Sequence, residues 1–107
     1  MSVINMTPHP VHILDGENQI VRTYQKDGRL IRLAVKTVET VPLSDGTPTS
    51  KTEFGKPEGL PDYQEGTFYI VSQLVKNALI ERTDLLVPAE VERNGDGTIL
   101  GCKSLGR

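Results

Sequence analysis

Residues 67–80, TFYIVSQLVKNALI, decide the fold of this 107-residue chain. They open with a continuous β-prone apolar run, which predicts a strand over residues 67–72. The run passes at Ser72, a typical N-cap residue, into apolar positions spaced as on one helix face. That stripe consists of Leu74, Val75, Ala78 and Leu79. It predicts the main helix over about residues 73–81, and residues 85–87 then complete a strand, helix and strand crossover.

On both sides of this unit the sequence favours short strands and tight turns. The other predicted strands cover residues 3–6, 11–14, 19–24, 29–43 and 98–102. In the longest of them, Ile31, Leu33 and Val35 alternate with less apolar residues, as in a half-buried strand. Gly and Pro punctuate residues 44–66 and predict a long ordered loop, with a short strand near residues 52–54. We therefore expect an α+β fold: one small domain over residues 1–107, with a mostly antiparallel β-sheet and one main helix.

Composition narrows the classes of function. The length allows one modest core, and only 36% of residues are hydrophobic and 5% aromatic. Because such a core is thin, a homo-oligomer is expected. The formal charge of −2 gives no general attraction to polyphosphate, so neither a nucleic-acid polymer nor a membrane surface is an expected partner.

Location follows from the same kind of evidence. Cys102 is the single cysteine, which excludes an intramolecular disulfide. No apolar run approaches the roughly eighteen residues that a membrane span requires. The N-terminus also lacks the charged and apolar regions of a secretion signal, so a cytoplasmic location is expected.

Residues 5–14, NMTPHPVHIL, form the strongest candidate site. A proline disfavours helix at the residue before it, so extended geometry is predicted here. Alternation then places Asn5, Thr7 and His9 on one face and His12 on the other. A polar row beside the core needs hydrogen-bonding partners or a ligand. His9 is therefore either a structural hydrogen-bonding residue or a ligand contact, whereas His12 is expected to be structural.

The second half of the chain adds four polar candidates. Ser72 either caps the helix only, or acts with Gln73 to hold a phosphate or carboxylate at the first helical turn. Arg82 either pairs with Asp84 or anchors a nearby loop, or else it holds a phosphate through its two parallel N–H groups. The sequence has no Walker loop, no dinucleotide glycine pattern and no His-x-x-x-His, so no cofactor and no metal are predicted.

Residues 5–9, NMTPH, resemble the Asn-Leu-Thr-Pro-His phrase that opens a family of short phage and prophage-associated proteins. The resemblance continues through FG (54–55), GLP (59–61), GTFYIVS (66–72), RTDL (82–85) and GTILGC (97–102). It leaves residues 19–51 poorly matched, and Met6 replaces the leucine of the phrase. The polar positions shared with the family are Asn5, Thr7, His9, Ser72, Arg82 and Asp84. The resemblance implies a setting in the cytoplasm of an infected or lysogenic host cell.

The leading hypothesis is a phage counter-defence protein that binds and sequesters a small anionic, nucleotide-type immune signal, such as a cyclic nucleotide. The expected ligand-binding residues are Asn5, Thr7, His9, Ser72, Gln73, Arg82 and Asp84, with no catalytic residue assigned. One alternative is a metal-independent phosphodiesterase with His9 as general acid or base and Arg82 or Ser72 on the phosphate. The other is a non-enzymatic phage structural or host-interaction protein.

Overall fold

The computed structural model describes residues 1–29 and 31–107, and within them it contains two β-sheets and one short helix. The elements in chain order are β1 Ser2–Asn5, β2 Val11–Leu14, β3 Ile20–Tyr24, β4 Val35–Thr40, β5 Thr49–Phe54, β6 Thr67–Ile70, α1 Gln73–Ala78, β7 Leu85–Arg93 and β8 Ile99–Gly106. A small α+β fold is thereby confirmed.

The larger sheet has six strands in the order β1-β6-β7-β8-β2-β3. The crossover predicted from residues 67–87 is present, because β6 and β7 are parallel neighbours with α1 between them in the chain. Strand β1 is also parallel to β6, and β2 is parallel to β8. Only the hairpins β2–β3 and β7–β8 are antiparallel within this sheet. The expectation of a mostly antiparallel sheet is therefore confirmed only in part, because the larger sheet is mixed.

The two outer strands of this sheet meet. Asn5 and Lys26 form a parallel bridge, and the Asp27 N–H donates to the Asn5 carbonyl at 2.9 Å. The sheet thus closes on itself, and it is called the closed sheet below. An inner cluster forms around the buried residues Val11, Ile70, Leu86 and Cys102, with Val3, Ile13, Tyr24, Phe68 and Leu105 packed against them. Every strand of the closed sheet contributes to this cluster, as expected for the interior of a closed structure.

An outer cluster lies on the other face, under α1. Val75 of the helix packs there with Met6, Tyr69, Val71, Leu85 and Val87. The helix is shorter than predicted, because Leu79 already has non-helical backbone angles and forms the C-cap. Leu74, predicted on the buried stripe, is instead 54% exposed. A helix of six residues presents little more than one buried side chain to the sheet.

Strands β4 and β5 form a separate two-stranded sheet, and residues 35–54 are called the arm below. Ile31 and Leu33 are half-buried against the outer cluster, but Val35, predicted on the same inward row, is 55% exposed. The region of residues 44–66, predicted as a loop with a short strand, contains β5. The radius of gyration is 17.1 Å, against about 13 Å for a compact chain of this length. The molecule is therefore extended.

Candidate functional site

A groove of about 480 Å³ lies between the bend that joins β1 to β2 and the hairpin of β7 and β8. Its lining residues are Thr7, His9, Pro10, Val11, His12, Val71, Ser72, Pro88, Val91, Ile99, Leu100, Gly101 and Cys102. The groove thus brings together three of the candidates from the sequence, Thr7, His9 and Ser72. These residues come from opposite halves of the chain.

The bend is held by the side chain of Asn5, which is 2% exposed. Its Nδ2 donates to the carbonyl oxygens of His9 at 2.7 Å and Tyr24 at 2.9 Å. Its Oδ1 accepts the backbone N–H of Thr7 at 2.9 Å. Because these contacts use both donors and an acceptor lone pair, Asn5 acts as a positioning residue that fixes the backbone at His9.

This bend replaces the extended row predicted for Asn5, Thr7 and His9, and that prediction is wrong. Strand β1 ends at Asn5, and the next side chain, Met6, is buried in the outer cluster. An asparagine side chain that accepts the N–H two residues on stabilises a turn, which competes with extension. As a result His12, expected on the opposite face from His9, lines the same groove.

The polar side chains at the bend differ in whether they are free to contact a molecule in the groove. Thr7 Oγ1 lies 2.6 Å from Asn5 Oδ1 and 2.9 Å from the His9 carbonyl oxygen, and its one proton can serve only one of them at a time. The imidazole of His9 is exposed, and that of His12 contacts Thr23 Oγ1 through Nδ1 at 2.9 Å. His9 is therefore the more accessible of the two imidazoles.

Ser72 and Gln73 are placed differently, although they are neighbours. Ser72 Oγ accepts the Val75 N–H at 3.3 Å, so its hydroxyl proton remains able to donate into the groove. Gln73 Nε2 donates to Asn77 Oδ1 at 2.9 Å along the helix surface, and Gln73 is not part of the groove lining. Only the hydroxyl of Ser72 is thus available to a molecule in the groove.

Arg82 and Asp84 lie away from the groove. Arg82 Nε donates to Asp84 Oδ1 at 2.9 Å, and a second guanidinium nitrogen donates to Oδ2. A third contact runs from Arg82 to the Pro61 carbonyl oxygen at 3.0 Å. The hydrogen bond to Asp84, which is 1% exposed, raises the pKa of Arg82. Through these contacts the pair joins the loop at Pro61 to the start of β7. Arg82 and Lys76 also line a second depression, separate from the groove.

Cys102 forms part of the groove floor. Its Sγ–H donates to the His12 carbonyl oxygen at 3.7 Å, and burial raises the pKa of the thiol. The neutral thiol therefore behaves as a small buried apolar group. Beside it, a Cβ on Gly101 would lie 2.8 Å from the His12 carbonyl oxygen. Only glycine allows β8 to approach β2 this closely.

The apolar wall of the groove was not foreseen from the sequence. It is formed by Pro88 and Val91 of β7 and by Ile99 and Leu100 of β8. Val91 is 41% exposed and Ile99 is 62% exposed. Between Pro88 and Val91, Glu90 has a φ of 52°, a backbone conformation that residues other than Gly, Asn and Asp rarely adopt. The apolar residues on either side of the NGDG sequence at 94–97 were the available signal for this wall.

The lining residues determine what the groove can hold. They comprise apolar side chains, two imidazoles and the hydroxyls of Thr7 and Ser72, with no lysine, arginine or carboxylate. Such a lining suits a planar or apolar group with few charges, oriented by hydrogen bonds at one end. Within residues 1–29 and 31–107, no group of three or more His, Cys, Asp or Glu side chains could hold a metal ion.

Comparisons of the chain with protein-family models, with curated proteins and with solved structures find no match. In the part of the chain that the structure describes, no helix has the length and apolar character needed to cross a membrane.

Proposed function

We propose that this protein binds a small nucleotide-type ligand in the groove and sequesters it unchanged. The observation that carries the proposal is the convergence of Thr7, His9 and Ser72 on one groove that also has an apolar wall. The apolar wall suits the flat face of a nucleobase, and the His9 imidazole and the Ser72 hydroxyl can donate to a phosphate or sugar.

The charge of the groove narrows the ligand class. Because no lysine or arginine lines it, a polyphosphate would lack counter-charges there. A cyclic nucleotide, with one negative charge per phosphodiester, fits better than a nucleoside triphosphate. The exposed imidazole of His9 can donate an N–H to a phosphate oxygen.

The biological setting of the proposal comes from the resemblance to short phage proteins. In the cytoplasm of an infected or lysogenic cell, removal of a cyclic-nucleotide immune signal would counter a host defence. This role requires tight binding and no turnover of the signal.

Calorimetric titration with a panel of cyclic mononucleotides and dinucleotides tests the proposal. We expect at least one to bind. Ile99→Asp on the apolar wall should weaken that binding about tenfold or more, since the bound ligand would cover the new carboxylate, which is costly to desolvate and repels the phosphate. Ile20→Asp on β3 is the matched control, because Ile20 is similarly exposed at 53% and lies outside the groove lining. Absence of binding across the panel, or equal effects of the two substitutions, would overturn the proposal.

A phosphodiesterase is the second candidate, favoured by the presence of both His9 and His12 at one groove. One imidazole could accept a proton from water while the other protonates the leaving oxygen. The protein is incubated with the bound nucleotide, heat-denatured, and the released material analysed by chromatography. Intact nucleotide supports sequestration, whereas conversion that His9→Ala abolishes identifies an enzyme. If no small ligand binds, the third reading, a phage structural or host-interaction protein, takes precedence.

A further inference from the structure

The arm is a two-stranded sheet with no third strand among the described residues. It is anchored at its base, where Arg32 and Glu58 exchange two backbone hydrogen bonds of 2.8 Å. Beyond this base, nearly all of its side chains are exposed. Isolated two-stranded sheets are marginally stable in water, and an open strand edge is a template for pairing with another strand.

We propose that the free edge of β5 pairs antiparallel with the β5 edge of a second copy of this chain, around a twofold axis at Thr52. The two arms would then form one four-stranded sheet in the order β4-β5-β5-β4. The proposal concerns association alone, and it stands whether or not the groove binds a nucleotide.

Charge complementarity fixes this register. Residues directly opposite each other in an antiparallel pair lie on the same face of the sheet. A twofold axis at Thr52 therefore places Lys51 of each copy opposite Glu53 of the other. Lys51 Nζ and Glu53 Oε1 already lie 3.3 Å apart within one chain, and their side chains are 62% and 49% exposed. Four charges of alternating sign would meet on one face.

Neighbouring registers on the same edge are disfavoured. Because opposite residues must lie on the same face of the sheet, the twofold axis passes through a residue of β5 and not between two residues. The neighbouring registers are therefore those centred on the residues next to Thr52. Centring it on Lys51 opposes two lysines, and centring it on Glu53 opposes two glutamates. Like charges directly opposite each other destabilise a strand pair. The register at Thr52 is the one that opposes unlike charges twice.

The β4 edge lacks this property. Its two charged residues, Lys36 and Glu39, are three positions apart and so lie on opposite faces of the strand. No twofold pairing of β4 with itself can place one opposite the other. The same argument therefore selects β5 over β4.

Analytical ultracentrifugation of the full chain over a range of concentrations tests the proposal, with Lys51→Glu and Glu53→Lys as the informative variants. Each variant alone turns both cross-copy contacts into repulsions, and we expect about tenfold or more weaker dimerisation. An equimolar mixture of the two variants restores opposite charges at both positions, so we expect a mixed dimer. Restoration by mixing shows that each variant still folds.

Glu39→Lys is the matched control, since it makes the same charge change on the other strand of the arm, and it should dimerise like the unmodified chain. The proposal is overturned by a chain that stays monomeric at every concentration, by variants that dimerise as strongly as the unmodified chain, by a mixture that fails to associate, or by equal weakening with Glu39→Lys.

Discussion

The closed sheet and the arm are built from similar strand-forming residues, but they bury them to opposite extents. In the closed sheet, Ile70 is fully buried and Leu85 is 1% exposed. In the arm, Val35 is 55% exposed, and Val41 just beyond β4 is 87% exposed. β-branched and aromatic residues favour extended backbone in both regions. Burial depends on a second layer, which the inner and outer clusters provide and which the arm lacks among the residues that the structure describes.

The largest expected effect comes from shortening one apolar side chain in the closed sheet, compared with the same change in the arm. Leu85→Ala should lower the free energy of unfolding by about 2–5 kcal/mol, because it leaves a cavity in the outer cluster. Val41→Ala should change it by less than about 0.5 kcal/mol. Urea denaturation measures both values. Similar losses of unfolding free energy for the two variants would show that the arm is packed in solution, against the closed sheet or against another copy of the chain.

The second comparison concerns two ion pairs with the same spacing in the sequence. Asp84 is 1% exposed beneath Arg82, so Arg82→Ala should cost about 3 kcal/mol by leaving a buried carboxylate without its partner. Arg29 pairs with Asp27 at the surface before the arm, and its hydrogen bond lowers the pKa of Asp27. Arg29→Ala should leave the melting temperature nearly unchanged, because exposed pairs are screened by solvent. A larger loss for Arg29→Ala than for Arg82→Ala would contradict the assigned burial.

The third comparison adds one methyl group in each region. A methyl group on Gly101 would meet the backbone of β2, so Gly101→Ala should lower the free energy of unfolding by about 1–3 kcal/mol. On Gly55, at the base of the arm, it would lie 3.0 Å from the Ala34 Cβ. Ala34 is exposed and can shift, so Gly55→Ala should cost less than about 1 kcal/mol. Thermal unfolding of both variants gives the ranking, and a reversed order would mean that β8 and β2 are less close than described.

The smallest effect concerns two Asp-Gly-Thr turns, one in each region. Asp96 Oδ1 accepts the Thr98 N–H at 3.0 Å, and Asp45 Oδ1 accepts the Thr47 N–H at 2.9 Å. Hydrogen bonds from the threonine side chain and backbone lower both aspartate pKa values below the ordinary 3.8. The stabilisation is therefore present above the pKa of the unfolded chain and is lost as pH falls through the lower folded pKa.

Asp96→Asn should flatten the acid side of the global stability profile, because its turn joins β7 to β8. Asp45→Asn should leave that profile unchanged and affect only amide exchange within the arm. If both substitutions alter global unfolding equally, the arm and the closed sheet unfold as one unit.

Local features of the fold were readable from the sequence, whereas pairing over long distances was not. The helix and its two flanking strands follow from the change of apolar period between residues 67 and 87. The parallel pairings of Ser2 with Thr67 and of Ile13 with Cys102 have no local signature. Together with the parallel pair β6–β7 of the predicted crossover, they make the sheet mixed.

The candidate site, too, was predictable in its local features and not in its long-range contacts. His9 and Ser72 stand out by residue chemistry, but the bend that Asn5 creates depends on a contact with the Tyr24 carbonyl oxygen. The apolar wall at Val91 and Ile99 depends on how β8 meets β2. Alternation also predicted an inward Val35, since a periodic pattern identifies a face without showing that anything covers it.

The closure of the sheet has a consequence for biosynthesis. Strands that neighbour each other in the chain, such as β2 and β3, can pair as soon as they leave the ribosome, and so can the arm. Strand β1 must wait for Thr67 of β6 before it can pair, and the parallel pairing of Ile13 requires Cys102 of β8. Pairings of such high sequence separation form slowly and late. The groove, bounded by residues 7–12 on one side and 99–102 on the other, therefore cannot form before β8 has been synthesised, so shorter nascent chains lack it.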